Sequence, residues 1–235
     1  MIDHASDAWY SKKRFMHILW HGQSCFSLSI KERQSGKDVT VVLDPYSPDI
    51  GLTLPRNLSG DVVLVTHGHF DHAYVAGVSG DPFVIAGPGE YETHGVFVYG
   101  IQTWHDQKEG KERGSNTAYR IEAEGISLVH LGDLGERINL DDTRLEHMKD
   151  VDILFVPVGG TYTLDAKEAA DVVQEIEPRI VIPMHYALPK LTVKLGEVQP
   201  FLKALGVADV EQHAKFTIRE KDLPQDEMRV VVLTP

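Results

Sequence analysis

The segment DVVLVTHGHFDH, residues 61–72, joins an uninterrupted apolar run to three histidines and an aspartate within seven positions. A short apolar run bounded by polar residues reads as a strand buried on both faces. The polar half reads either as a loop with surface histidines or as a set of metal ligands gathered where the strand ends. On the second reading the strand ends at a sheet edge where such groups can meet. Residues two apart in an extended segment point the same way, so His67 and His69 can converge on one ion. Asp71 and His72 come after them, where the chain must turn, and can reach a second, neighbouring ion. Neutral imidazole and carboxylate suit Zn²⁺, and also Mn²⁺ or Fe.

The same arrangement recurs along the chain. His105 follows VFVYGIQTW, Asp133 follows SLVHLG and His185 follows RIVIPM. Strand ends held by a rigid sheet are where sites are commonly built. Other strand-like segments are SCFSLSI, VTVVLDP, PFVIAG, NTAYRIEAEG, VDILFVPV and a terminal MRVVVLTP, nearly all closed by Gly, Asp or Pro. DAKEAADVVQEIEP carries apolar residues at helical spacing, with Asp165 and Glu168 placed to form a reciprocal cap and Pro178 as a stop. EVQPFLKALG reads as another helix. The order predicts an α/β chain with largely antiparallel strands early and βα alternation later. A pair of sheets covered by helices, in one domain spanning 1–235, accommodates both halves.

Composition narrows the function. The formal net charge of −12 disfavours binding to nucleic acid through phosphates and to anionic membrane surfaces. The single cysteine, Cys25, fits a reducing compartment and, in an alternating strand, reads as a small buried residue. The apolar stretch after the basic Lys12 to Arg14 is broken at His17 and too short for a signal peptide, and no run has the length of a transmembrane helix. The expected location is cytoplasmic.

THGHFDH, WHD, HLGDLG and PMHY together resemble the metallo-β-lactamase superfamily of metal-dependent hydrolases in order and spacing. WHGQSCFSL, VVLDPY and GPGEYETHGVFVYGI resemble its subgroup that includes ascorbate-6-phosphate lactonase and uncharacterised Zn-dependent hydrolases. The resemblance implies a four-layer αβ/βα sandwich. It implies one metal on His67, His69 and His105, a second on Asp71, His72 and His185, and Asp133 bridging them. Zn²⁺ is the expected metal.

Two divalent ions about 3.5–4 Å apart lower the pKa of a shared water to near neutrality and polarise the attacked group. The expected reaction is hydrolysis of a small ester, lactone or phosphoester, with Asp71 as orienter or proton carrier and Asp133 as the shared ligand. Two alternatives stand beside it: a phosphodiesterase or nuclease of the same superfamily, and a non-catalytic metal-binding regulator. Asp44 is read either as holding a ligand histidine from behind or as capping the turn before Pro45. His130 and His21 are read as supporting the site or as structural; His94, His4, His147 and His213 as surface residues. Lys108, Lys111 and Arg113, in the polar loop after His105, are candidate contacts for an anionic small-molecule substrate. A homo-oligomer is compatible with the subgroup.

Overall fold

The computed structural model describes residues 15–32, 35–138, 142–208, 210 and 212–235. Lys12 to Arg14 and His4 lie outside the described residues.

The first half of the chain builds a six-stranded sheet, ordered β13-β1-β2-β3-β4-β5. Its strands are β1 (Met16–Gly22), β2 (Cys25–Lys31), β3 (Asp38–Leu43), β4 (Val62–Leu64), β5 (Phe83–Ile85) and the late β13 (Phe216–Ile218). β1, β2 and β3 are antiparallel as the alternating pattern predicts, but β3, β4 and β5 run parallel. The early half is thus less antiparallel than expected. The three residues of β4 are buried on both faces because it lies between parallel neighbours.

The second sheet has seven strands, ordered β14-β11-β10-β9-β8-β7-β6. They are β6 (Gly89–Thr93), β7 (Val96–Trp104), β8 (Ser115–Ala123), β9 (Ile126–His130), β10 (Ile153–Pro157), β11 (Ile180–Met184) and β14 (Arg229–Val230). β6 to β9 are antiparallel, whereas β9, β10, β11 and β14 are parallel. The terminal segment read as one strand is split. Its first part is β14, and its second, β15 (Val232–Leu233), pairs with β12 (Gln212–His213) in a separate ribbon.

The sheets pack face to face. Phe26 of β2 meets Phe155 of β10 with ring centroids 4.5 Å apart, and Trp20 meets Tyr186 at 4.9 Å. One apolar cluster runs from Ile18, Leu28, Val41 and Leu64 to Ile121, Leu128 and Phe155. The second sheet is covered at β10 by α2 (Ala166–Ile176), which turns Ala169, Ala170, Val173 and Ile176 inward, and α3 (Gln199–Ala204) packs against α2. The α2 cap forms as read: Asp165 Oδ1 accepts from the N–H groups of Lys167 and Glu168, and Glu168 returns to the Asp165 N–H. Loss of such a cap costs about 1 kcal/mol. A one-turn helix, α1 (Thr143–Glu146), precedes β10. On the first sheet, Val42, Val63 and Val65 are covered by Tyr46, Ile50, Leu58 and Val78 from loops and short 3₁₀ turns. The αβ/βα sandwich is therefore present with one thin outer layer. No helix among the described residues is long and apolar enough to cross a membrane.

Strand direction decides where the site lies. β1, β3 and β4 run the same way, so Gln23, Asp44 and Thr66–His72 all emerge at one edge of the first sheet. β7, β9, β10 and β11 likewise share a direction, bringing His105, Asp133 and His185 to one edge of the second. Buried hydrogen bonds fasten the two edges together. Thr117 N–H donates to Thr66 O, Tyr119 OH donates to Val65 O, and His185 N–H donates to Gln23 O.

Candidate metal centre

Asp133 occupies the middle of this junction. Its Oδ2 lies 3.2 Å from Nε2 of His72, 3.2 Å from Nε2 of His105, 3.4 Å from Nε2 of His185 and 3.9 Å from Nε2 of His67. His67 Nε2 is 3.0 Å from His69 Nδ1, and His72 Nε2 is 3.6 Å from Asp71 Oδ2. Three groups offer ligand atoms within 4.8 Å of one another: His67, His69 and His105; Asp71, His72 and His185; and His67, His72 and Asp133. Two donors each about 2.0–2.1 Å from a tetrahedral ion lie roughly 3.4 Å apart. Much of the site already has that spacing. Asp133 Oδ1 is buried without a hydrogen-bond partner among the described residues. Buried polar atoms left so are costly, and a divalent cation satisfies them. The donor set fits a metal.

The tautomers are set from behind. Asp44 is fully buried at the end of β3. Its Oδ1 accepts from Thr66 N–H at 2.8 Å, and its Oδ2 accepts from Thr66 Oγ1 at 2.7 Å. Since the Thr66 hydroxyl hydrogen goes to Asp44, the 3.0 Å contact between Thr66 Oγ1 and His67 Nδ1 has the imidazole donating. Oδ2 also meets His72 Nδ1 at 2.9 Å. A single carboxylate thus claims the Nδ1–H of His72 directly and that of His67 through a hydroxyl. Both Nε2 atoms are left to face the centre. Among the described residues, the hydrogen bonds of the Asp44 carboxylate go to Thr66 and His72 and none goes to the turn before Pro45.

Burial, reinforced by the neighbouring His72, pushes the His67 pKa far down. Burial also lowers His69 and His185. Neutral imidazole is the form that ligates. His72 goes the other way: burial opposes its charge, but the Asp133 and Asp44 carboxylates outweigh burial and raise its pKa well above the ordinary value. Burial works against the Asp133 carboxylate too, yet His185 and His72 hold it well below the usual range. A metal ion competes with the His72 proton for the same Nε2.

Asp133 depends on its turn. Gly132 has φ +57, and a Cβ there would stand 2.4 Å from Asn116 Oδ1 and 2.7 Å from Thr66 Cβ. Asn116 Oδ1 accepts from Asp133 N–H at 3.0 Å, while its amide donates to Thr103 Oγ1 and Leu131 O. His130 lies in the core between Phe26 and Phe155, bonded to Ser24 O and to Gly132 N–H. Burial lowers its pKa. It hydrogen-bonds the turn that carries Asp133. His21 bonds to Ser27 Oγ at 2.9 Å, and burial lowers its pKa to about 4.

A family model described as the beta-lactamase superfamily domain matches residues 17–185. The chain belongs to that superfamily. A UPF0173 metal-dependent hydrolase of Thermoplasma acidophilum is 31% identical over 198 residues, covering 73% of this chain and 83% of the relative. One from Methanopyrus kandleri is 28% identical over 228 residues, covering 83% and 95%. Among solved structures, a Thermotoga maritima protein classed with the Zn-dependent hydrolases of the metallo-β-lactamase superfamily is 36% identical, with a TM-score of 0.72. The match covers 93% of this chain and 98% of that one. The chain is a metal-dependent hydrolase of this superfamily.

The polar loop after His105 is organised by Asp106, whose carboxylate accepts from the N–H groups of Lys108, Gly110, Glu112 and Arg113. Lys108 and Lys111 are exposed and paired within the loop to Glu112 and Glu109. Arg113 differs: its guanidinium lies 4.5 Å from the Tyr162 ring centroid and has no ion pair among the described residues. Tyr162 belongs to the loop after β10, where Gly159 N–H bonds His185 O. Phe70, inside the ligand cluster, is 59% exposed. His94 is an exposed hairpin-turn residue, His147 is exposed and His213 half-buried; Cys25 is buried.

Sequence reasoning gave no role to Thr66, Asn116, Asp106 or Gln23. Thr66 alone carried a usable signal, as the hydroxyl residue between the buried strand and the first histidine.

Proposed function

We propose that this chain is a dinuclear hydrolase of a small, anionic ester, lactone or phosphoester, with Zn²⁺ as the preferred metal. His67, His69 and His105 would hold one ion, Asp71, His72 and His185 the other, and Asp133 would be shared. The observation that carries the proposal is the position of Asp133 Oδ2, within 3.2–3.9 Å of imidazoles from both trios. The ions would supply water activation and polarisation of the scissile group.

The chain's own residues provide the rest. Asp44 keeps His67 and His72 in the ligating tautomer. Asp71 Oδ2 is held by Gln23 Nε2 at 2.9 Å, while Oδ1 accepts no hydrogen bond among the described residues and is free to take a proton. Arg113, without an ion pair among the described residues and braced on Tyr162, supports an anionic substrate group. The buried Cys25 supports a cytoplasmic setting. The test is a screen of simple lactones, bis-p-nitrophenyl phosphate and a β-lactam after reconstitution with Zn²⁺, Mn²⁺ or Fe²⁺. Turnover of a small ester, lactone or phosphoester is expected. Activity on RNA alone would overturn the substrate class.

A further inference from the structure

Gln23 occupies the two-residue turn between β1 and β2, beside a register shift at Trp20 and Gly22. Three features set it apart. It has a left-handed backbone, φ +53, in a residue with a Cβ. Such a conformation is unfavourable and persists only where the surroundings enforce it. Its carbonyl accepts from both Trp20 Nε1 and His185 N–H, each at 3.0 Å. Its side chain is fully buried, with Nε2 donating to Asp71 Oδ2 at 2.9 Å. One residue therefore grips two of the three members of the Asp71, His72 and His185 group, one through the side chain and one through the backbone.

The chemistry fixes which way the amide faces, since the carboxylate is an acceptor and only the NH₂ end can meet it. Oε1 then makes no hydrogen bond among the described residues. A methionine of similar length would fill this place without burying an amide. Packing alone does not explain a buried glutamine whose single side-chain partner among the described residues is the Asp71 carboxylate.

We infer that Gln23 is a positioning residue for the second ion: its N–H pins Asp71 Oδ2 on the side facing His72, so that the trio is preformed. The inference rests on the two-ion reading of the site. Outer partners of ligating carboxylates typically change metal affinity by about 10–100-fold.

The test compares wild type, Gln23→Met and Gln23→His by calorimetric titration of the metal-free proteins with Zn²⁺. Co²⁺ absorption serves as an independent readout of site geometry, and circular dichroism checks the fold. Wild type should take up two ions. Gln23→Met should keep the first with wild-type affinity and bind the second about 10–100-fold more weakly. Gln23→His, whose ring N–H has the same reach, should restore much of the second affinity. If Gln23→Met binds two ions with wild-type affinities, the inference fails and the two-ion reading stands. Uptake of fewer than two ions by wild type would sink the reading itself. Should Gln23→Met not fold, Gln23→His decides: a folded variant that has lost the second ion overturns the assignment, and one that retains it supports it.

Discussion

Replacing Asp44 by asparagine changes one atom and should invert a tautomer. In the wild type, Asp44 Oδ2 accepts from His72 Nδ1 at 2.9 Å and from Thr66 Oγ1 at 2.7 Å, while Oδ1 accepts from Thr66 N–H at 2.8 Å. Asparagine has one oxygen, and the Thr66 N–H, which can only donate, claims it. The NH₂ group then faces His72 Nδ1, which must become an acceptor. The one proton of the neutral ring then sits on Nε2, the atom aimed at Asp133 and Asp71, instead of on Nδ1. Affinity at the Asp71, His72 and His185 trio should fall about 10–100-fold, or roughly 1.4–2.8 kcal/mol. The metal-free protein should lose a further ~1.5–3 kcal/mol, the worth of a hydrogen bond to a charged group. Zn²⁺ titration measures the first quantity, urea unfolding the second, and long-range ¹⁵N–¹H correlation of the histidine rings the tautomer. The reasoning is refuted if Asp44→Asn binds the second ion as tightly as wild type with His72 Nε2 unprotonated.

Arg113→Ala should raise KM for anionic substrates about tenfold with little change in kcat, whereas Lys108→Ala, which breaks a surface pair to Glu112, should change neither more than about twofold. A rise in KM for Lys108→Ala alone would reverse that assignment. Gly132→Ala should destabilise by about 1–3 kcal/mol, because φ +57 and the Asn116 Oδ1 contact both oppose a Cβ; a loss under about 0.5 kcal/mol in urea would contradict it. His21 is held by burial to a pKa of about 4, below the unfolded value of 6.5. As pH falls from 6.5 towards 4, the unfolded chain takes up that proton before the folded one does, so metal-free stability declines. His21→Gln should remove this share, reducing the slope by at most ~1.4 kcal/mol per pH unit. Unchanged slopes in pH-dependent unfolding would count against it.

The clustering of the candidate ligands was legible because each stands where an apolar run stops, and the two sheets bring those ends to one junction. The α2 cap was legible because Asp165 and Glu168 have the local spacing of a reciprocal cap. The parallel pairing of β3, β4 and β5 was not. Three buried residues such as Val62–Leu64 carry no alternation to report direction, and no helix intervenes to announce a crossover. The terminal segment looked like one strand because its change of sheet, between Val230 and Val232, leaves its apolar pattern unbroken. The partners of Asp44, Thr66 and His72, could not be read from a carboxylate that stands directly before Pro45. Gln23 and Asn116 are neutral amides in ordinary polar contexts, and only the distant carboxylate or turn that each one meets gives it meaning. The Lys108 and Lys111 charges were visible, but their neutralisation by Glu112 and Glu109 depends on how Asp106 winds the loop.

The central claim is that two ions share Asp133. Anomalous diffraction at the zinc edge, from crystals of the Zn²⁺-reconstituted protein, addresses it directly. The account predicts two peaks about 3.5–4 Å apart, one beside His67, His69 and His105 and one beside Asp71, His72 and His185, with the Asp133 carboxylate between them. A single peak at full metal loading, or two peaks without Asp133 between them, would contradict it.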